Sequence, residues 1–192
     1  MIHLPRFTFL NAPAESGKTT LANMLSEQDT GLALVSFAEP IRNAMAATFY
    51  PHHPLDHPDF RDSKVKRSSL PGTNVTHRDW MVQYSIFMKT LLGPYIFGDL
   101  AKKTCMDLSD YYPRFLFDDN RYTQEIHPFS LAFGRDDCLM IHISRQGKSW
   151  DDEKFDTSGK GDFLHFVGAR HASLNNNGKP EDMLSQLERI LL

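Results

Sequence analysis

Hydrophobic and polar positions in this chain alternate between two periods. Short, mostly continuous apolar runs occupy residues 7–10, 32–38, 115–117, 139–143 and 163–167. Runs of this kind read as strands buried on both faces. Between them the apolar residues recur at three- and four-residue spacing. The clearest case is 76–92, where Trp80, Tyr84, Phe87, Met88 and Leu91 share one stripe, Thr76 can cap the start and Gly93 the end. That stripe predicts Trp80 and Phe87 as core residues. Helices are also predicted over 40–50, with Pro40 in the first turn, over 94–103, and over 180–192, where Met183, Leu184, Leu187, Ile190 and Leu191 line one face. Strands joined by crossover helices predict an α/β, doubly wound, five-stranded and mainly parallel sheet, with ligands at the carboxyl ends of its strands.

Two segments break the pattern. Residues 50–75 are rich in Pro and His, and 146–162 are polar and contain Gly, so both predict loops or mobile covers. His52, His53, His57, Asp56 and Asp59 could be read as a metal site, but no regular element fixes ligand geometry there, and a flexible loop fits better. His165, inside an apolar run, reads as a structural histidine.

The chain has 192 residues, 41% hydrophobic and 23% charged, which predicts one domain spanning 1–192. A formal charge of -3 supplies no global pull toward nucleic acid or an anionic membrane. Cys105 and Cys138 stand in no metal-ligand or redox spacing, which predicts a reduced cytoplasmic setting. No apolar run approaches spanning length, so no membrane partner is expected.

Between the first apolar run and the helical segment after it stands Ala12-Pro13-Ala14-Glu15-Ser16-Gly17-Lys18-Thr19-Thr20. Strand, Gly-containing loop and helix in that order form a phosphate-binding P-loop. Its amides and the helix N-terminus face an anion, Lys18 supplies a full charge to the β- and γ-phosphates, and the Thr19 hydroxyl is placed to ligate magnesium. This predicts an ATP-dependent phosphotransferase using ATP and Mg2+. Ala12 stands where Gly is commoner, so the loop must begin in a conformation that accepts a Cβ.

Further along, 115–117 lead into Asp118-Asp119, the pattern of a strand that delivers a carboxylate to the metal; a plain turn or helix cap is the competing reading. One of the two acids is expected at the metal. Arg121 follows at the same strand end, and Arg42, Arg78, Arg135 and Arg145 follow other predicted strands or open helices. Arginine binds phosphate in bidentate fashion and keeps its charge; taken singly each of these residues is more often a solvated surface side chain, and Arg121 is the exception because its strand-end position points it at the same cleft.

Gly17-Lys18-Thr19, Ser36-Phe37-Ala38-Glu39-Pro40-Ile41-Arg42, His77-Arg78 with Gln83, Asp119-Asn120-Arg121 with Glu125, and Asn176-Asn177-Gly178 before a terminal helix together resemble the bacteriophage deoxynucleoside monophosphate kinases. The resemblance implies a P-loop kinase three-layer sandwich, with Lys18, Thr19 and Asp119 on the Mg-ATP side. It implies Phe37, Arg42, Arg78 and Gln83 in an acceptor pocket, Arg121 and Arg145 on transferred charge, and Asn177 near adenine. A related phage group acts on 5-hydroxymethyluracil in DNA, so the acceptor partner is either a free deoxynucleoside monophosphate or a modified base in DNA. A non-catalytic nucleotide-dependent switch is the alternative from another class. A phage-encoded protein would work in the host cytoplasm, and either long helix could carry a homodimer face.

Overall fold

The computed structural model describes residues 2–51, 58–149 and 166–192. The chain divides into two compact units: Ala38–Phe97 is one continuous insertion, and the segments on either side of it form the other.

The larger unit is built on five strands, β1 (Phe7–Asn11), β2 (Leu32–Val35), β3 (Arg114–Phe117), β4 (Cys138–Ser144) and β5 (Arg170–Asn175), in the order β2-β3-β1-β4-β5. Every pairing is parallel, with Phe9 level with Phe117 on one side and Met140 on the other. Side-chain alternation sends each central strand's apolar residues to both faces. One face carries Leu10, Leu116, Ile141 and Leu174, covered by Leu21 and Leu25 of α1 (Lys18–Gln28) and Met183 and Leu187 of α7 (Pro180–Leu191). The other carries Phe7, Phe9, Phe115 and Phe117, covered by Ala101 and Cys105 of α5 (Ile96–Asp107) and by Ile126 and Phe129 of α6 (Thr123–Phe133). The result is a three-layer α/β sandwich.

Burial of the two cysteines in this sandwich pushes both thiols up to about 12, so neither is a nucleophile. The edge is tied where β2 and β3 begin: Arg114 Nε and Nη2 donate to the two oxygens of Asp29 at 2.7 and 2.8 Å. That pairing holds the Asp29 carboxyl below its ordinary range.

Two elements of this unit differ from the sequence expectation. The fifth strand of the described sheet lies at Arg170–Asn175; of the expected run 163–167, residues 166 and 167 are outside any strand, and residues 163–165, with His165, lie outside the described residues. Its alternating polar and apolar residues are those of an edge strand covered on one face, not of a doubly buried run. Helix α6 was not predicted, because Pro128 sits inside it and removes one backbone donor. Its start is fixed by Glu125, which accepts from the Arg121 and Tyr122 amides at 2.8 and 3.1 Å. Gly98 on α5 faces this helix so closely that a Cβ there would stand 2.5 Å from the Glu125 carbonyl.

The inserted unit holds α2 (Glu39–Phe49), α3 (Ser63–Arg67) and α4 (His77–Leu92) around a core of Met45, Phe60 and Leu70. Asp62 caps α3, which lies in a segment expected to be loop. Thr76 caps α4 by accepting from the Asp79 amide at 3.1 Å. The α4 stripe is only partly core. Trp80 stacks on Tyr84 at 4.9 Å and meets Phe49 edge-on, whereas Phe87 and Leu91 are 58% and 64% exposed. Phe87 is therefore a surface residue: three neighbours of core size cannot cover a sixteen-residue helix along its whole length. The His52, His53, His57 and Asp56 group lies outside the described residues. No helix among the described residues is long and apolar enough to cross a membrane.

Candidate active site

Strand β1 ends at Asn11 and α1 begins at Lys18, so residues 12–17 form the loop at the carboxyl end of the central strand. Ala12 is 1% exposed and packs with the α1 and α7 core, and it is not among the residues with positive φ. A Cβ is therefore accommodated at the loop's start. Glycine is required at position 17 instead, where φ is 97° and a Cβ would stand 2.3 Å from Asn176 Nδ2. That amide donates to the Ser16 carbonyl at 2.9 Å, so Asn176, on the chain following β5, pins the loop from below.

The loop's chemistry suits a polyphosphate. The first turn of α1 contains no acidic residue, so nothing within the helix offsets the positive end of its dipole. Lys18 Nζ arches over the loop, donating to the carbonyls of Ala12 and Pro13. Ser16 Oγ is buried and, among the described residues, has no hydrogen-bond partner, as expected of a cradle shaped for an external acceptor.

Because β3 lies beside β1, the residues after Phe117 arrive next to this loop. The two consecutive acids then part. Thr19 Oγ1 donates to Asp118 Oδ2 at 3.1 Å, across 99 residues of sequence. Asp119 turns toward the end of β2, accepting from the Ser36 hydroxyl and from the Phe37 amide at 3.0 Å. The expected metal ligands thus divide: Thr19 and Asp118 stand together, and Asp119 ties two strand ends. Magnesium commonly takes one or two carboxylates plus substrate phosphates and water, a donor set that Thr19 and Asp118 fit. Among the described residues, no group of three or more His, Cys, Asp and Glu side chains is placed to hold a metal.

Arg121 follows Asn120, which is fully buried and donates to Glu125 Oε2 at 3.2 Å, so the backbone carrying Arg121 is anchored at the start of α6. Arg145 follows β4 directly, and its Nη1 donates to the Glu15 carbonyl at 3.0 Å. Lys148, three residues on, makes an ion pair with the Glu15 carboxylate. Asn177, expected at the nucleotide, accepts from the Gln146 amide at 2.6 Å and so holds this same turn. Lys148 lies in a polar loop, and Asn176 enters the sequence reading only through the Asn176-Asn177-Gly178 motif, so neither stands among the expected site residues.

Phe37 departs from its expected place in an acceptor pocket. Its ring is 2% exposed and stacks on Phe117 at 4.7 Å within the aromatic face of the larger unit. A phenylalanine that continues an apolar run finds its partners in the sheet. The other three acceptor candidates lie in the inserted unit. Arg42 is buried, donates to Glu39 at 2.8 and 3.1 Å, and lines a pocket of about 140 Å³ with Asn43, Phe60 and Arg61. Arg78 sits in the first turn of α4 and Gln83 on its exposed surface, and neither is in that lining.

A parallel sheet with a Gly-containing loop between its central strand and the first helix, and an acid at the end of the adjacent strand, brings together the amides, ammonium, hydroxyl and carboxylate that suit a polyphosphate with its metal. No protein-family model and no curated protein matches the chain. Solved structures do. A dephospho-CoA kinase from Campylobacter jejuni is 12% identical, covering 96% of this chain and 94% of its own, with a TM-score of 0.48. A thymidylate kinase from Candida albicans is 11% identical over 97% of this chain and 91% of its own, with a TM-score of 0.43. A shikimate kinase from Bacteroides thetaiotaomicron is 10% identical over 96% of both chains, with a TM-score of 0.41.

Proposed function

We propose that this protein is a Mg-ATP-dependent phosphotransferase of the nucleotide-kinase type, whose acceptor is a deoxynucleoside monophosphate. The observation that carries the reading is the meeting of Thr19 Oγ1 and Asp118 Oδ2 at 3.1 Å beside a loop that requires glycine at position 17. A hydroxyl from the loop and a carboxylate from the neighbouring strand are the protein's share of a metal-phosphate site.

In this reading Lys18 and the amides of residues 13–19 hold the polyphosphate, and Thr19 and Asp118 hold the metal. Held there, magnesium would offset the charge of the polyphosphate. Asp119 acts at one remove, keeping Asp118 in place through Ser36 and Phe37. Arg121 and Arg145 lie on anchored backbone beyond the strand ends and neutralise charge on the group in transit. Arg42, Arg78 and Gln83 serve the acceptor. The sequence resemblance supports the choice of a deoxynucleotide.

The test is phosphate transfer from γ-labelled ATP to a panel of deoxynucleoside monophosphates and to hydroxymethyluracil-containing DNA. We expect transfer to at least one free nucleotide, and a loss on the order of 10²–10³ in turnover for Asp118→Asn. Transfer to the DNA alone would replace the acceptor. ATP binding without transfer to any acceptor would replace the enzyme with a nucleotide-dependent switch.

A further inference from the structure

A carboxylate within an anion cradle calls for a physical reason, and Glu15 is such a carboxylate. It adopts φ 59°, the left-handed region that side chains rarely occupy. Its charge is met by the Lys148 ammonium, and its carbonyl accepts from Arg145. Both cations come from one turn. Lys148 N donates to the Arg145 carbonyl at 3.1 Å, Gly147 takes φ 73°, and Gln146 N donates to Asn177 Oδ1 at 2.6 Å. Asn177 lies on the same stretch as Asn176, which holds the Ser16 carbonyl. The turn and the loop are therefore tied to a common support.

The pair itself is only partly shielded: the Glu15 side chain is 70% exposed and that of Lys148 33%. Ion pairs this wet are weak and exchange readily. A nucleotide polyphosphate offers several negative charges where Glu15 offers one, and a lysine on its four-carbon stem can change partners without backbone movement.

From this geometry we infer that Lys148 is a further phosphate-binding residue, with Glu15 holding its ammonium beside the loop until a polyphosphate takes it over. The inference rests on the P-loop reading above. It follows that Lys148 contributes more as phosphates are added to the ligand, and that removing the Glu15 charge releases it. A lysine that merely braced the turn would affect all nucleotides alike.

Calorimetric titration of the full chain with AMP, ADP and ATP tests this, with equal thermal melts of the variants establishing that each is folded. Lys148→Ala should weaken ATP about tenfold and ADP less, and leave AMP within about twofold, while Lys148→Arg keeps most of the wild-type affinity. Glu15→Gln should tighten ATP by about two- to threefold, a gain that vanishes in Glu15→Gln/Lys148→Ala. Uniform weakening of all three nucleotides, or none, in Lys148→Ala would overturn the inference while the P-loop reading stood, provided that wild type binds ATP and Lys18→Ala does not. Failure of wild type to bind ATP would overturn both.

Discussion

The two units of this chain are held together to very different degrees. The larger one packs six phenylalanines, at positions 7, 9, 37, 115, 117 and 129, into one face of its sheet, each nearly or wholly buried, and covers the opposite face with α1 and α7. The inserted one gathers α2, α3 and α4 around three fully buried apolar residues and leaves much of the α4 stripe in water. Stability in proteins is local, and elements with few buried contacts open first. The loop of residues 12–17 belongs to the first kind of environment, where loss of position would be costly. The acceptor candidates Arg42, Arg78 and Gln83 belong to the second, where rearrangement is cheap.

The strongest way to break this contrast is Phe117→Ala, which empties the site where Phe9, Phe37 and Phe129 converge. It should cost about 3–5 kcal/mol in urea unfolding and lower hydrogen-exchange protection throughout the sheet. Phe60→Ala removes the ring that meets Tyr50 and His77, and should cost about 3 kcal/mol locally. Exchange protection should fall across 38–97 while the sheet amides stay protected; a global loss would unite the two units.

A pH-dependent difference sharpens the comparison. Burial, with His171 stacked beside it, lowers the His142 pKa to about 4. The same residue titrates near 6.5 when unfolded. Between those values the unfolded chain binds the extra proton, so stability falls as pH drops from about 6.5 toward 4 and levels off below. In His142→Gln that slope should flatten in the sheet amides while those of 38–97 keep their pH response. The smallest effect is expected on the exposed face of α4: Phe87→Ser should change stability by no more than about 0.5 kcal/mol. A larger loss would show that this ring is covered in solution.

The site was legible in proportion to how locally it is built. Strand, loop and helix around residues 12–19 are neighbours in sequence, and their residue types state the loop's needs directly, including glycine at position 17. The pair Asp118-Asp119 was legible as a pair, but not which acid faces Thr19, because that depends on β3 lying between β1 and β2 and on how the backbone turns after Phe117. Lys148 carried no signal at all, since its meaning comes from Glu15, 133 positions away. Phe87 was misplaced because hydrophobicity says that a ring seeks cover, not whether cover exists, whereas Phe37 was placed in an acceptor pocket by the resemblance although the apolar run 32–38 already read it as buried.

Local order along the chain was thus enough to specify where four of the five strands run, the loop between β1 and α1 with its glycine at position 17, and the caps of its clearest helix. These follow from periodicity, turn chemistry and charge within a few residues. The opposed aims of Asp118 and Asp119, the meeting of Lys148 with Glu15, and the exposure of the α4 stripe were decided when distant segments met, because strand order and available covering surface are properties of the assembled layers and are not written in any one of them.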